Sequence, residues 1–345
     1  MTISSNELRI GFTYDSPVDN DSAAGSISCE YEDTRTIEWM YDCLSRLGKT
    51  TRLPWGEDIV ARMIDARPDV IFNITEATEG RNRESLVPAV AESLGIPCTG
   101  TDAVGLGLSL DKYLSKVIAS YERIPTPSFL KIENISDIDD RQDELNEIGY
   151  PLFVKPVLGG SSQGIRRTSK VDNPDSLRTE SEWVLNNCND DVLVEKFLSG
   201  REFCVGLLES GELRCLPVAE LRLEDGDPET FYSFDLKSTH RKEIICPAEI
   251  TSEISQTMED YAVSIFRALG CRDLARVDFR LGSDGVPYFL EINPLPGLSP
   301  FYSIFTMQAE AGGIKPERII EILVSNRTGK KLDLLLMEGC NGELE

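Results

Sequence analysis

Short apolar strands alternate with amphipathic helices over the first hundred residues, and this alternation restricts the fold more than any other feature of the chain. Residues 8–14 (LRIGFTY) read as a buried strand. Residues 34–47 carry Ile37, Met40, Leu44 and Leu47 at helical spacing and are closed by Gly48. A short strand at 50–53, a helix at 58–66 and a strand at 69–74 follow. A helix at 84–94 then ends at Gly95 and leads into a short strand at 96–99. Strands separated by helices pair in parallel through crossovers, so this section predicts a parallel sheet covered by helices. No GxGxxG follows the first strand, which removes the main support for dinucleotide binding there.

From residue 101 the pattern predicts a small α+β domain. A helix opens at Asp111-Lys112 and runs to Tyr121, residues 128–131 form a strand, and a charge-rich helix leads to Gly149. Residues 150–156 are a strand that carries Lys155 at its end. Gly159-Gly160-Ser161-Ser162-Gln163-Gly164 reads as a hairpin tip, with an extended pattern resuming at 165–168 and a helix at 174–187. The third section begins with the strand 192–198 and pairs 202–208 with 212–218 across Glu209-Ser210-Gly211. Residues 224–242 read as a loop, 253–269 as a long amphipathic helix and 316–324 as a last helix. The expected organisation is an α/β domain over 1–100, α+β sections over 101–190 and 191–330, and a tail over 331–345.

Chemistry concentrates in residues 274–300. Arg276, Asp278 and Arg280 alternate with apolar residues, and Glu291 and Asn293 alternate with apolar residues on a second strand. Side chains two apart on a strand share a face. If Gly282-Ser283-Asp284-Gly285 is a four-residue loop, Leu281 pairs with Val286 and Arg276, Asp278, Glu291 and Asn293 all share one face. Two carboxylates and an amide converging there suit a hard cation, magnesium rather than zinc. The competing reading is a solvated hairpin face. The rigid run Pro294-Leu295-Pro296-Gly297 that follows favours the metal site. The GGSSQG loop offers backbone donors and small side chains, as a phosphate cradle requires, although it lacks the lysine of a P-loop. Lys155 just before it points the same way.

Composition narrows the partners. A net charge of −24 argues against nucleic-acid backbone and anionic lipid. No apolar run approaches a membrane span, and residues 1–9 have no signal-peptide core. Nine scattered cysteines without a CxxC pair read as reduced thiols, so a cytoplasmic protein is expected. His240 is the only histidine and sits in a polar stretch, so chemistry built on a histidine base has one candidate.

Asp278 followed by Glu291-Ile292-Asn293-Pro294 resembles the metal-binding signature of the ATP-grasp superfamily, and the run through Pro296-Gly297 is similar to its D-alanine–D-alanine ligase branch. Asp111-Lys112, Phe153-Val154-Lys155-Pro156, GGSSQG, Glu195-Lys196-Phe197-Leu198 and Gly200-Arg201-Glu202-Phe203 precede that block in the family's order. The resemblance covers the last two-thirds of the chain. It implies ATP as the nucleotide, with Lys112, Lys155 and Gly160, Ser161 and Ser162 on its phosphates. It implies adenine against Glu195, Lys196, Phe197 and Leu198, and Glu202 near the ribose or the glycine loop. Lys237 matches the lysine that reaches the transferred phosphate, and residues 230–241 would form a lid. Asp278, Glu291 and Asn293 would hold two magnesium ions, with Arg276 and the backbone N–H around Gly297 stabilising an oxyanion. The implied reaction joins a carboxylate to an amine through an acyl phosphate, and needs no histidine.

The first third departs from the family. Its early GGxSxExEVS motif is replaced by Ser26-Ile27-Ser28-Cys29-Glu30-Tyr31-Glu32-Asp33, and its HGxxGEDG loop by residues 73–84. Ser238 stands where the family's tyrosine follows the loop lysine. These elements grip the amino-acid substrates, so the expected product is an amino-acid amide other than D-alanyl-D-alanine. Arg81 or Arg83 would hold a substrate carboxylate, and Glu30, Glu32 or Glu76 an ammonium; plain surface charges are the alternative. The partners are then small amino acids, carboxylates and amines, with room for a homodimer. Two rival readings are a true D-alanine–D-alanine ligase and a nucleotide-binding regulatory module without catalysis.

Overall fold

The computed structural model describes residues 7–16, 31–77, 80–223, 242–330 and 332. The first section forms a parallel sheet from β1 (Arg9–Tyr14), β2 (Lys49–Pro54) and β3 (Val70–Asn73) in the order β2–β1–β3. Residues 96–99, expected as a strand, add only one parallel bridge from Cys98 to Ile71. Pro97 has no N–H with which to extend the ladder. Ile10, Phe12 and Tyr14 share one face of β1 and pack against α1 (Thr34–Leu47) through Ile37, Met40 and Leu44. The start of α1 is capped by Asp33, whose carboxylate accepts from the Thr36 N–H at 2.7 Å. The other face is covered by α2 (Ile59–Ala66) and α3 (Leu86–Ser93) through Ile59, Met63, Val87 and Ala91.

The first domain is completed from the far end of the sequence. The helix Pro316–Thr328 places Ile319, Ile320, Leu323 and Val324 in the same core as Phe12 and Met40. Periodicity located this helix but could not show which sheet it covers.

Two helices follow the first sheet, α4 (Ala103–Leu110) and α5 (Lys112–Tyr121). The sequence did not suggest α4, because Gly105 and Gly107 each weaken a helix by about 1 kcal/mol relative to alanine. Gly105 is there for packing: a Cβ would stand 2.4 Å from Thr101 Cγ2 and 3.1 Å from the Leu269 carbonyl oxygen.

The second sheet is antiparallel and contains β4 (Phe129–Ile132), β5 (Leu152–Pro156), β6 (Lys170–Val171) and β7 (Val192–Lys196) in the order β4–β7–β5–β6. The strand at 192, expected to open the third section, is therefore an inner strand of this one. The extended run expected at 165–168 is instead a turn, because Ser169 N–H donates to the Arg166 carbonyl at 3.0 Å. The helix Pro174–Asn187, opened by an Asn173/Ser176 capping box, covers the sheet with Leu177 and Val184.

The third sheet has β8 (Glu202–Ser210), β9 (Glu212–Cys215), β10 (Ala219–Leu223), β11 (Lys242–Ile245), β12 (Leu274–Leu281) and β13 (Pro287–Asn293). Its order is β11–β10–β8–β12–β13, with β9 also on β8. Of the loop expected at 224–242, Lys242 already belongs to β11, and residues 224–241 lie outside the described residues. The helix Ser252–Ala268 backs this sheet with Met258, Ala262, Ile265 and Phe266. A further helix, Ile304–Ala311, was not read from the sequence.

Candidate active site

The β12–β13 hairpin reaches its expected outcome by an unexpected route. The connection is one residue longer than the four-residue loop, so Leu281 pairs with Pro287 instead of Val286. A one-residue slip turns a strand's side chains to the opposite face. A bulge between Asp278 and Phe279 cancels that slip, and beyond it Asp278 pairs with Glu291 and Arg276 with Asn293. All four line a cavity of 780 Å³ whose walls also include residues of β5, β7 and β8.

Charges on the hairpin are neutralised locally. Arg276 donates from Nε and Nη2 to the two oxygens of Asp278 at 2.8 and 2.9 Å, a bidentate pair. Its Nη1 has no partner among the described residues. Glu291 lies 3.4 Å from Lys112 Nζ. Burial pushes the Asp278 carboxyl up. For Glu291 burial acts in the same direction, but Lys112, Lys155 and Arg276 outweigh it and hold the carboxyl below its ordinary value. Asn293 Oδ1 accepts from the Leu295 N–H at 2.9 Å, which fixes the amide at the start of the proline loop.

The opposite wall is set by α5, which buries an unusual stripe. Asp111 caps this helix, its carboxylate accepting from the Leu114 N–H at 3.0 Å. Lys112, Ser115, Lys116 and Ala119 face inward, while Val117 and Tyr121 are exposed. Lys112 donates to the Gly159 carbonyl at the base of the glycine-rich loop. Glu195 on β7 forms ion pairs with two ammonium groups, Lys155 Nζ at 2.7 Å and Lys116 Nζ at 2.8 Å. Burial pushes the Glu195 carboxyl up, yet the two cations more than reverse this and hold it at about 2. Lys196 turns away from this cluster and donates to the Gly149 and Tyr150 carbonyls at 3.0 and 2.9 Å, so its ammonium is spent on the backbone.

In the loop itself Ser161 and Ser162 both adopt positive φ, 48° and 62°. Such conformations are uncommon for residues with a Cβ and mark a constrained turn. Gly164 is required next, because at φ +68° a Cβ would also meet Pro156 Cγ at 2.4 Å. Phe197, Leu198 and Glu202 line the cavity beyond β7. Burial raises the Glu202 carboxyl.

Glu32 lines the cavity, and its carboxylate accepts from the Leu298 N–H at 2.9 Å and the Tyr302 hydroxyl at 2.5 Å. Ser303 donates to the Gly297 carbonyl, so both polar ends of the single Gly297–Leu298 peptide are held. Thr36 Oγ1 and Ser299 Oγ lie 2.8 Å apart and tie α1 to the same loop.

The remaining N-terminal candidates divide. Glu76 lines the cavity, whereas Arg81 and Arg83 are not among its walls. Arg81 bonds Asp111 at 2.9 Å. Arg83 is 4% exposed and lies 3.1 Å from Glu84 and 3.4 Å from Glu76. Both forks are thus turned onto carboxylates of the protein, in place of the expected substrate clamp. Glu30, Lys237, Ser238, His240 and the expected lid lie outside the described residues. Sequence reasoning missed Lys116, Glu84 and Tyr302. For Lys116 a signal existed: it follows Lys112 by one helical turn and so shares its face.

The donor set on the hairpin fits a magnesium ion. Asp278 and Glu291 are directly opposed across two strands, all three candidate donors are oxygens, and their present counter-charges are protein cations.

Two antiparallel α+β units meeting at a lysine-walled cavity with an oxygen-donor hairpin define an ATP-grasp protein. The family model "D-ala D-ala ligase C-terminus" matches residues 118–325. An uncharacterized protein, y4sG of Sinorhizobium fredii, is 34% identical over 245 residues, 71% of this chain and 70% of that protein. The D-alanine--D-alanine ligase of Sphingopyxis alaskensis is 32% identical over 288 residues, 81% of this chain and 87% of that one. The crystal structure of the Bacillus anthracis D-alanine--D-alanine ligase complexed with ATP is similar in fold. Its TM-score is 0.72 at 23% identity, covering 94% of this chain and 97% of that one. The chain belongs to the D-alanine–D-alanine ligase family, whose members are ATP-dependent ligases that form carbon–nitrogen bonds.

Proposed function

We propose that this protein joins a carboxylate to an amine at the expense of ATP, through an acyl phosphate, and releases ADP and phosphate. The observation that carries the proposal is the single cavity that brings Lys112, Lys155, Glu202, Arg276, Asp278, Glu291, Asn293 and Gly297 together. In the first step a carboxylate oxygen bonds to the γ-phosphorus while the bond to the β–γ bridging oxygen breaks. Such a transfer asks for positioning and charge neutralisation, and Lys112, Lys155 and the glycine-rich loop are placed to orient a triphosphate. Asp278, Glu291 and Asn293 would hold two magnesium ions, which when bound neutralise charge on the β- and γ-phosphates. In the second step the amine nitrogen bonds to the acyl carbon, the carbon–oxygen bond to phosphate breaks, and the nitrogen loses its proton. Arg276, steadied by Asp278, and the Gly297 N–H, whose following peptide is held by Glu32 and Ser303, would be the donors to the oxyanion. Lys237 would join them from the segment 224–241.

For the substrates we propose an amino-acid amide product other than D-alanyl-D-alanine. Support comes from the wall made by Tyr31, Glu32, Ile74, Glu76 and Glu84, residues that stand where the cell-wall motifs are replaced. A domain limit near residue 100, a second one after the strand Val192–Lys196 in place of the one expected at 190, a cytoplasmic location and a homodimer belong to the same reading. No helix among the described residues is long and apolar enough to cross a membrane.

The test is incubation with ATP, magnesium and separate pools of L- and D-amino acids, recording nucleotide products and product masses. ADP, phosphate and a mass equal to two substrates less water are expected. AMP and pyrophosphate would overturn the mechanism, and D-alanine dimerisation as the fastest reaction would overturn the substrate assignment.

A further inference from the structure

Lys116 is a buried cation that the proposed reaction does not use. It is 0% exposed and forms no part of the cavity wall, whereas Lys155 and Glu195 both do. Its Nζ lies 2.8 Å from one Glu195 oxygen, 2.9 Å from Thr126 Oγ1 and 3.4 Å from the Phe289 carbonyl oxygen. An ammonium has three N–H donors, and here three acceptors surround it. Lys155 holds the other Glu195 oxygen at 2.7 Å.

We infer that Lys116 is a positioning residue that sets the positive charge Lys155 presents to a nucleotide phosphate, an inference that rests on the nucleotide reading of the cavity. Lys155 and Glu195 alone would form a neutral pair at the wall. Such a pair offers a phosphate only a dipole, and the carboxylate half of it repels. Lys116 behind the wall takes up the carboxylate's charge, so the cluster of two lysines and one glutamate keeps one net positive charge on the cavity side. Bulk solvent screens that charge little from behind, because Lys116 is fully buried. The arrangement also explains why α5 turns lysines inward and leaves Val117 and Tyr121 outside. A lysine present only for packing gives up its hydration for nothing, since an apolar residue fills the same space without that cost. The same ammonium bridges β7 and β13, the strands that carry Glu195 and Glu291, and so fixes the distance between the two walls.

The experiment measures binding of ATP and of adenosine, by calorimetry, to the full chain, to Lys116→Met and to the double variant Lys116→Met/Glu195→Gln. Lys116→Met is expected to weaken ATP by roughly tenfold and leave adenosine unchanged, because only the phosphates feel the missing charge. The double variant removes the negative charge together with the positive one, and is expected to restore the wild-type ratio of ATP to adenosine affinity. An unchanged ratio in Lys116→Met overturns the inference, and so does an equal loss for both ligands, which marks a merely structural role. If Lys116→Met does not fold, the double variant decides alone: a wild-type ratio supports the inference and a tenfold lower one overturns it. A wild-type protein that binds ATP no better than adenosine would instead remove the nucleotide reading itself.

Discussion

Glu32 accepts a hydrogen bond from the Tyr302 hydroxyl at 2.5 Å, which joins the segment leading into the first helix to the loop that carries Gly297. The other oxygen of the same carboxylate accepts from the Leu298 N–H. The first domain thereby helps to shape the part of the site that would receive the oxyanion.

Gly297→Ala should act through this contact. A Cβ at Gly297 would stand 3.1 Å from Glu32 Oε1, an atom already fixed by Leu298. Either Glu32 or the peptide must yield. A fall in kcat of roughly a hundredfold is expected, with ATP affinity intact. Steady-state kinetics beside ATP binding checks this, and an unchanged kcat would detach the loop from catalysis. Tyr302→Phe removes one hydrogen bond and should cost about 1 kcal/mol of stability in a denaturant titration.

Glu195 predicts how stability responds to acid. Its folded value, about 2, lies below the ordinary 4.5, so its contribution is fully present above pH 4.5 and is lost as pH falls toward 2. The shift corresponds to stability on the order of 3 kcal/mol. Glu195→Gln leaves Lys116 and Lys155 without their shared counter-charge and should melt well below the wild type at neutral pH. Melting temperatures taken from pH 6 downward should converge, and a gap that stays constant would contradict the paired arrangement.

Glu291→Gln addresses the metal. The substitution keeps the side chain's shape but weakens its hold on a hard cation. The magnesium concentration for half-maximal ADP formation should rise by at least roughly tenfold. Identical magnesium curves for the two proteins would remove Glu291 as a ligand.

Arg83→Ala should behave as a folding defect. The guanidinium is 4% exposed and lies between Glu76 and Glu84, so its loss strips a cation from two carboxylates inside the protein. A cost of about 3 kcal/mol is expected. Arg81→Ala, at an arginine 60% exposed, should change stability far less. If Arg83→Ala instead folds like the wild type and raises only a substrate KM, the substrate clamp read from the sequence returns.

The sequence made the shared face of Arg276, Asp278, Glu291 and Asn293 legible because alternation along a strand is a strict geometric rule, and it held here only because a bulge offset an unforeseen turn length. That Lys112, Lys155, the glycine-rich loop and Glu195 line one cavity was legible from motif order. What stayed hidden depends on long-range placement. Nothing local to residues 192–196 says that they pair with 129–132 and 152–156. Arg81 and Arg83 looked like a carboxylate clamp because an arginine fork fits a carboxylate, and the carboxylates it found are the protein's own. Helix α4 was missed because its glycines answer to a close neighbour in space.

The helix Pro316–Thr328 carries a consequence for how the chain comes into being. On a ribosome, residues 9–73 emerge long before Ile319, Ile320, Leu323 and Val324, which their hydrophobic face needs as partners. The first sheet must therefore wait, half covered, until residues 316–328 have been made, and contacts closed over so long a separation form slowly. Shortening the gene's product to end before residue 316 would not spare the amino-terminal domain and sacrifice only the last segment. It would strip Ile319, Ile320, Leu323 and Val324 from the core that holds Phe12 and Met40, and a nascent chain stalled there is one for chaperones to hold.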